Sequence, residues 1–247
     1  MVLGRQLQRI ARSRSEASKN HLLASLWTRT NQAGNEDKVS VNFPPQSTHE
    51  REIEMMLGLL TSMIEGRRAT YVSAPITSGE RFARWRGQRR EGAETSGPAY
   101  DEELRREVIA PNREHARAIV LELRGSFEGV LIDPTAVDDF DGWTQDDYRH
   151  LWARVIESYA QRVVCLDGWQ FSNGCAYEFL TAQRAGVETL CEDRQPLTLE
   201  EGQRLLRAAI AQMSAWGMQT EFLDQVVQAL AKTQSAEEAW ATETGRR

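Results

Sequence analysis

The stretch from Arg162 to Leu190 contains the residues whose types and spacing are best suited to chemistry. Its apolar run 163–166 has the length and β-branched content of a buried strand. Small polar residues at 172–174 follow and can begin a helix, whose first backbone N–H groups are free to attract an anion. Glu178 comes on the second turn of that helix. The segment therefore predicts an anion-binding loop beside a carboxylate.

Strand and helix patterns alternate along the chain around this segment. Short apolar runs read as strands, and stretches with apolar residues at helical spacing lie between them. This alternation predicts an α/β fold: a parallel-sheet, Rossmann-like (flavodoxin-like) core with helices on both faces. Ligands of such sheets bind beyond the carboxyl ends of the strands. The predicted strands are 69–74, 129–132, 163–166 and 187–190.

Two motifs of the chain resemble those of one known family. Its signature is similar to the pattern G-W-x-x-S-x-G-x-x-x-E, formed here by Gly168, Trp169, Ser172, Gly174 and Glu178. The family is the nucleoside 2-deoxyribosyltransferase superfamily, which includes nucleotide N-hydrolases. The stretch 71–77, YVSAPIT, resembles its first strand and substrate loop. Together the motifs extend the resemblance over residues 68–190.

The resemblance implies an enzyme, either an N-glycosidase or a 2-deoxyribosyltransferase. In the family a carboxylate attacks the anomeric carbon and displaces the base. The resulting sugar–enzyme ester is opened by water or by a second base. Glu178 matches this nucleophile, and Tyr71 matches the tyrosine that orients it. The implied substrate is a nucleoside 5′-phosphate or a related nucleotide, with NAD as one candidate, and neither a cofactor nor a metal is implied.

Further motif residues are candidates for substrate binding. In the N-hydrolase relatives a serine at the position of Ser172 contacts the 5′-phosphate, which implies a phosphate held by Ser172 and the amides of Asn173 and Gly174. Trp169 either stacks on a base or packs at the rim of the site. Asp133 ends a predicted strand, where it either binds a hydroxyl group or starts a turn. The substrate loop adds Ser73, Ala74, Pro75 and Ile76.

One position departs from the family pattern. The family carries an aspartate on the helix before the nucleophile, and here the corresponding positions hold Ala153 and Arg154. Arg154 can pair with Glu178 or bind a second phosphate. Alternatively, the activity is altered or lost, and the protein is a nucleotide-binding sensor or a scaffold subunit of a larger complex.

Composition narrows the class of protein. The 247 residues are enough for one sizeable α/β core or two small domains. A formal net charge of −6 argues against generic nucleic-acid binding, and no apolar run approaches the ~20 residues of a membrane span. Cys165, Cys175 and Cys191 lack metal-ligand spacing. Their odd number and a polar N-terminal region favour a reducing cytoplasm.

The chain divides into three predicted parts. Residues 1–66 combine a basic helical arm, a polar linker and a helix. Residues 67–192 hold the α/β core, and residues 193–247 hold a helix pair followed by a loose tail from Ser235. The arginine-rich stretch 80–100 reads as a long polar loop, either a lid or a solvated surface. The expected partners are a nucleotide or nucleoside, a second copy of the chain, and a protein docked on the N-terminal arm or the C-terminal helices; no membrane is expected.

Overall fold

A parallel sheet forms the centre of the structure. The computed structural model describes residues 47–89, 94–137 and 140–244, with side chains up to residue 235. Its strands are β1 (Ala69–Ser73), β2 (Val130–Ile132), β3 (Ala160–Cys165) and β4 (Glu188–Cys191). They lie in the order β2-β1-β3-β4, and each neighbouring pair is parallel. The predicted α/β class and its parallel sheet are therefore confirmed.

Helices connect the strands and continue beyond them. Those of the first half are α1 (Glu50–Ile64), α2 (Gly79–Gly87), α3 (Pro98–Leu104) and α4 (Ala110–Ser126). Those of the second half are α5 (Gln145–Tyr159), α6 (Asn173–Arg184), α7 (Leu199–Ala215) and α8 (Glu221–Thr244). In the part of the chain that the structure describes, none of these helices is long and apolar enough to cross a membrane.

Helices cover both faces of the sheet. Successive strand residues point to opposite faces, so each face has its own set of packing partners. Tyr71 and Val163 belong to the cluster that packs against α5 and α6. Their neighbours Val72 and Val164 pack against α4. Both faces of β1 and of residues 163–165 in β3 are therefore buried.

The C-terminal helix pair extends the face that carries α6. Helix α7 approaches α6 closely at Gly202, where an added Cβ would lie 2.2 Å from the ring of Phe179. Leu223, Val226 and Leu230 of α8 belong to the same buried cluster. The predicted helix pair is present, but the predicted loose tail from residue 235 is wrong up to Thr244, since α8 continues to that residue. Alanine and glutamate, which favour helices, are frequent there.

The expectation of a long polar loop over residues 80–100 is wrong for most of that stretch. Helix α2 occupies its first part, and Arg84 pairs with Glu80 one turn away. Arg89 then lies over the ring of Trp85, 4.6 Å from its centroid, and over that of Tyr100. Arg84 and Arg89 are thus paired or stacked on aromatic rings, which sequence composition does not reveal.

The helix pair α3 and α4 is joined by a π-helical turn, Arg105–Ile109. Pro111 lies in the first turn of α4, directly after this π-helical turn, where a proline removes no intrahelical hydrogen bond. At the start of the described chain, Asp147 of α5 accepts hydrogen bonds from Ser47 Oγ (2.7 Å) and Thr48 N (2.8 Å). These bonds fasten the segment before α1 to α5. The predicted basic helical arm lies outside the described residues.

Candidate active site

Two hydroxyl groups of β1 hold the carboxylate of Glu178. Tyr71 Oη donates to Glu178 Oε1 at 2.7 Å, and Ser73 Oγ donates to Oε2 at 2.6 Å. Tyr71 and Ser73 are fully buried, and Glu178 is 9% exposed. Each carboxylate oxygen thus has its own donor, which fixes the orientation of the group.

Local structure explains why these side chains meet. Tyr71 and Ser73 are two residues apart on β1, so they point to the same face of the sheet. Helix α6 lies on that face and begins after Ser172, one of the two residues that could cap it, whose Oγ accepts from Cys175 N. Glu178 follows one and a half turns into α6, on the side that faces β1.

The position in the sheet is the one where open α/β folds bind ligands. The connection after β1 leads to β2 on one side, and the connection after β3 leads to β4 on the other. The strand order therefore reverses between β1 and β3, the position at which open α/β sheets form their ligand crevice. Ser73 ends β1 at this switch point, and the loop after Cys165 leads to α6.

Burial sets the acidity of the group. It raises the pKa of Glu178 from 4.5 to about 7, although the hydrogen bonds from Ser73 and Tyr71 act in the opposite direction. Burial and the nearby Glu178 raise the pKa of Tyr71 well above its usual value, so its hydroxyl stays a donor. The same two causes raise the pKa of the Cys175 thiol to about 12. A thiol of this kind is a poor nucleophile.

The start of α6 contacts the loop that follows β1. Ser78 Oγ donates to Ser172 Oγ at 2.9 Å, so the predicted substrate loop and the predicted anion site are neighbours. Gly79 has φ +86°, and a Cβ there would lie 2.5 Å from Pro75 Cβ. Only glycine fits this close turn without strain. The loop residues Ala74, Pro75 and Ile76 are half-buried beside it.

Asp133 lies at the carboxyl end of β2, next to β1. It is 8% exposed, and its Oδ1 accepts from Thr135 N (3.0 Å) and Thr135 Oγ1 (2.7 Å). These bonds make the turn that was one of its two predicted roles. Its charge also acts on Tyr71. Asp133 is therefore close enough to the site for the second role, hydroxyl binding, to stay a prediction.

The structure does not bring two other predicted residues to the carboxylate. The ring of Trp169 is 3% exposed and packs 4.8 Å from that of Phe179, a core position rather than a free stacking surface. Arg154 reaches the other way and pairs with Glu50 (2.6 Å) and Glu54 (2.7 Å) of α1. Ala153 is buried. Asn173 and Gly174 form the first turn of α6 as predicted.

Sequence reasoning missed the contacts made by two residues. Ser73 was expected to bind substrate, whereas its hydroxyl binds Glu178; its spacing from Tyr71 carried that signal. Asn112 was not singled out, yet its side-chain amide donates to Ile76 O at 3.0 Å and Ser78 O at 3.3 Å. No spacing in the sequence links Asn112 to a loop 34 residues earlier.

Among the described residues, no group of three or more His, Cys, Asp or Glu side chains is placed to hold a metal ion. A surface depression of about 480 Å³ lies on the π-helical turn and α4, lined by Arg105, Arg113 and Arg117 with Glu114. It is formed by one helical stretch, and none of its residues is a partner of Glu178. We therefore place the candidate site at the crevice, where the chemical groups converge.

Fold and site together define a parallel α/β protein with a buried, doubly hydrogen-bonded glutamate at the point where the strand order reverses. Comparisons with protein-family models, with characterised proteins and with solved structures find no match.

Proposed function

We propose that this protein cleaves or transfers the N-glycosidic bond of a nucleoside 5′-phosphate or related nucleotide, with Glu178 as the nucleophile. The proposal rests on one observation: Tyr71 and Ser73 each donate a hydrogen bond to one of the two carboxylate oxygens of Glu178. An isolated buried carboxylate is costly, and one held in a single orientation at a ligand crevice is typical of a reactive group.

The reaction proceeds in two displacements. An oxygen of Glu178 attacks the anomeric carbon, the bond from this carbon to the base nitrogen breaks, and the base leaves with the bonding electrons. Water or a second base then attacks the same carbon and releases the carboxylate, as in retaining glycosidases. Tyr71 and Ser73 keep the attacking group oriented throughout, which lowers the entropic part of the barrier.

The start of α6 supports a phosphorylated substrate. The N–H groups of Asn173 and Gly174 lie in its first turn, and the hydroxyls of Ser78 and Ser172 lie beside them. Free N–H groups and the helix dipole favour an anion there. Asp133 is the candidate acceptor for a sugar hydroxyl group.

A binding module without chemistry is the alternative, and Arg154 favours it. The position that carries an acid in the resembled family holds an arginine here, and that arginine is engaged by α1. In this alternative Glu178 would recognise a hydroxyl or amino group of a bound nucleotide instead of attacking its sugar.

One experiment separates the two functions. The purified protein is incubated with a panel of nucleosides, their 5′-monophosphates and NAD, and free base is measured by chromatography. Glu178→Gln is the test variant, and Glu157→Gln, an exposed glutamate of α5, is the matched control. Base release that is lost only in Glu178→Gln supports the enzyme. If calorimetry shows nucleotide binding but no compound releases base, the enzyme hypothesis is wrong and the binding module is supported.

The setting of this activity is also part of the proposal. We expect the protein to act in the cytoplasm and as a homo-oligomer, with a protein partner docked on the N-terminal arm or the C-terminal helices. Light scattering of the full chain and co-purification from its source test the two kinds of association.

A further inference from the structure

Asn112 is the residue of α4 that reaches the loop between β1 and α2. Its Nδ2 donates to two backbone carbonyls of that loop, Ile76 O and Ser78 O, and its Oδ1 accepts from Arg81 Nε at 3.0 Å. One side chain therefore uses its donor and its acceptor to tie three positions of the loop and of the start of α2.

The π-helical turn before α4 gives Asn112 this direction. Val108 and Ile109 at the end of the turn pack with Phe82 of α2. Ala116, one turn after Asn112, packs on the sheet face that carries Val72. Asn112 lies between these two contacts, so α4 is fixed on both sides of it. A side chain anchored in this way holds a loop more firmly than a residue of the loop itself can.

The loop that Asn112 holds is also in contact with the start of α6. Ser78, whose carbonyl accepts from Asn112, donates through its hydroxyl to Ser172 Oγ. Ser172 in turn caps the helix that carries Glu178. The hydrogen bonds run from α4 through the loop to the proposed anion site.

We infer that Asn112 is a positioning residue for the proposed reaction, and that its side-chain amide holds the loop 75–79 in the geometry that binds the nucleotide. This inference rests on the proposed function. Asn112 has no contact with Glu178, Tyr71 or Ser73 among its hydrogen bonds, so it acts on substrate binding and leaves the chemical step alone.

The test combines kinetics with hydrogen exchange of the full-length protein. In Asn112→Ala we expect KM for the nucleotide that releases base to rise about tenfold while kcat stays within about twofold, because uniform binding is lost. Backbone amides 83–85, which make the first hydrogen bonds of α2, should exchange about tenfold faster, because the start of that helix is no longer held by Asn112. Thermal unfolding of each variant confirms that it is folded.

A second variant separates the loop contacts from the contact with Arg81. Asn112→Asp keeps an oxygen acceptor for Arg81 but removes the donor to Ile76 O and Ser78 O. It should behave like Asn112→Ala, whereas recovery of wild-type KM in Asn112→Asp would overturn the inference. Arg117→Ala, an exposed position on the same helix, is the control and should change neither KM nor exchange.

The two proposals fail in different ways. Unchanged exchange at 83–85 in both Asn112 variants would overturn the positioning role whatever the activity of the protein. A tenfold loss of kcat in the Asn112 variants with an unchanged KM would also overturn the positioning role. If the wild type releases base from no compound, the proposed function fails, and the exchange comparison alone then decides whether Asn112 holds the loop.

Discussion

Tyr71 and Glu178 lie 107 positions apart in the chain, and their side chains meet at 2.7 Å in the interior. The sheet supplies one partner and the helix after β3 supplies the other, so the pair exists only when β1, β3 and α6 are assembled. The hydrogen bond therefore links the proposed chemistry to the correct packing of the core.

The pH dependence of activity follows from the raised pKa of Glu178, about 7. A nucleophile must be ionised, so kcat/KM should rise about tenfold per pH unit below pH 7 and level off above it. The measurement is kcat/KM between pH 5 and 9 with the active nucleotide. A profile that falls above pH 7 would instead indicate that Glu178 acts as an acid.

The same pKa predicts how stability changes with pH. Below about pH 4.5 Glu178 is protonated in both the folded and the unfolded chain. Between pH 4.5 and about 7 only the unfolded chain loses this proton, so the free energy of unfolding falls as pH rises, by about 3 kcal/mol in all.

Glu178→Gln should remove this dependence, because a neutral amide replaces the buried acid. We expect the variant to be more stable than the wild type at pH 8 and to differ less at pH 4.5, measured by urea unfolding at both values. Equal slopes against pH in the two proteins would show that Glu178 titrates normally.

Removal of the tyrosine hydroxyl should raise the pKa of Glu178. The hydrogen bond from Tyr71 lowers the pKa of Glu178, so in Tyr71→Phe the pH midpoint of kcat/KM should rise by about one unit. Activity at pH 7 should fall about fivefold, because the ionised fraction of Glu178 falls from about one half to about one eleventh. Tyr159→Phe, which loses a hydroxyl bonded to Leu57 O away from the site, is the control and should keep the wild-type midpoint.

Asp147 should be a major contributor to stability. Burial raises its pKa, but hydrogen bonds from Thr144, Ser47 and Thr48 outweigh this, and its pKa lies well below the usual range. The stabilisation is present above about pH 3.8 and is lost as the pH falls further. Asp147→Asn should lose about 2–4 kcal/mol of unfolding free energy at pH 7. The difference from wild type should shrink in acid, as chemical unfolding at pH 7 and pH 3 will test.

Arg154→Ala should leave base release unchanged within about twofold. Its guanidinium is bound to two half-exposed glutamates of α1, and surface pairs of this kind contribute about 1 kcal/mol or less. The comparison is kcat/KM at pH 7 beside a thermal unfolding curve. A large loss of kcat/KM in this variant would show that Arg154 contributes to the reaction.

The sequence predicts the parts of this site that depend on local rules. Alternation along β1 places Tyr71 and Ser73 on one face, and Ser172 has the residue type of a helix cap. The partners of Ser73 and Asn112 were not predictable, because both bonds join segments that are distant in the chain. The prediction of a loop at 80–100 was wrong for a related reason. Its arginines look solvated in the sequence, but Arg89 finds aromatic partners only in three dimensions.

The π-helical turn Arg105–Ile109 has a consequence for the evolution of this chain. A π-helical turn contains one residue more than a regular turn, and each residue of a helix rotates the following ones by about 100°. Deletion of a single residue there would turn Asn112 away from its loop or Val108 away from its cluster. Lineages of this protein should therefore vary freely in residue type along the exposed side of α4 while the length of the segment before it stays constant.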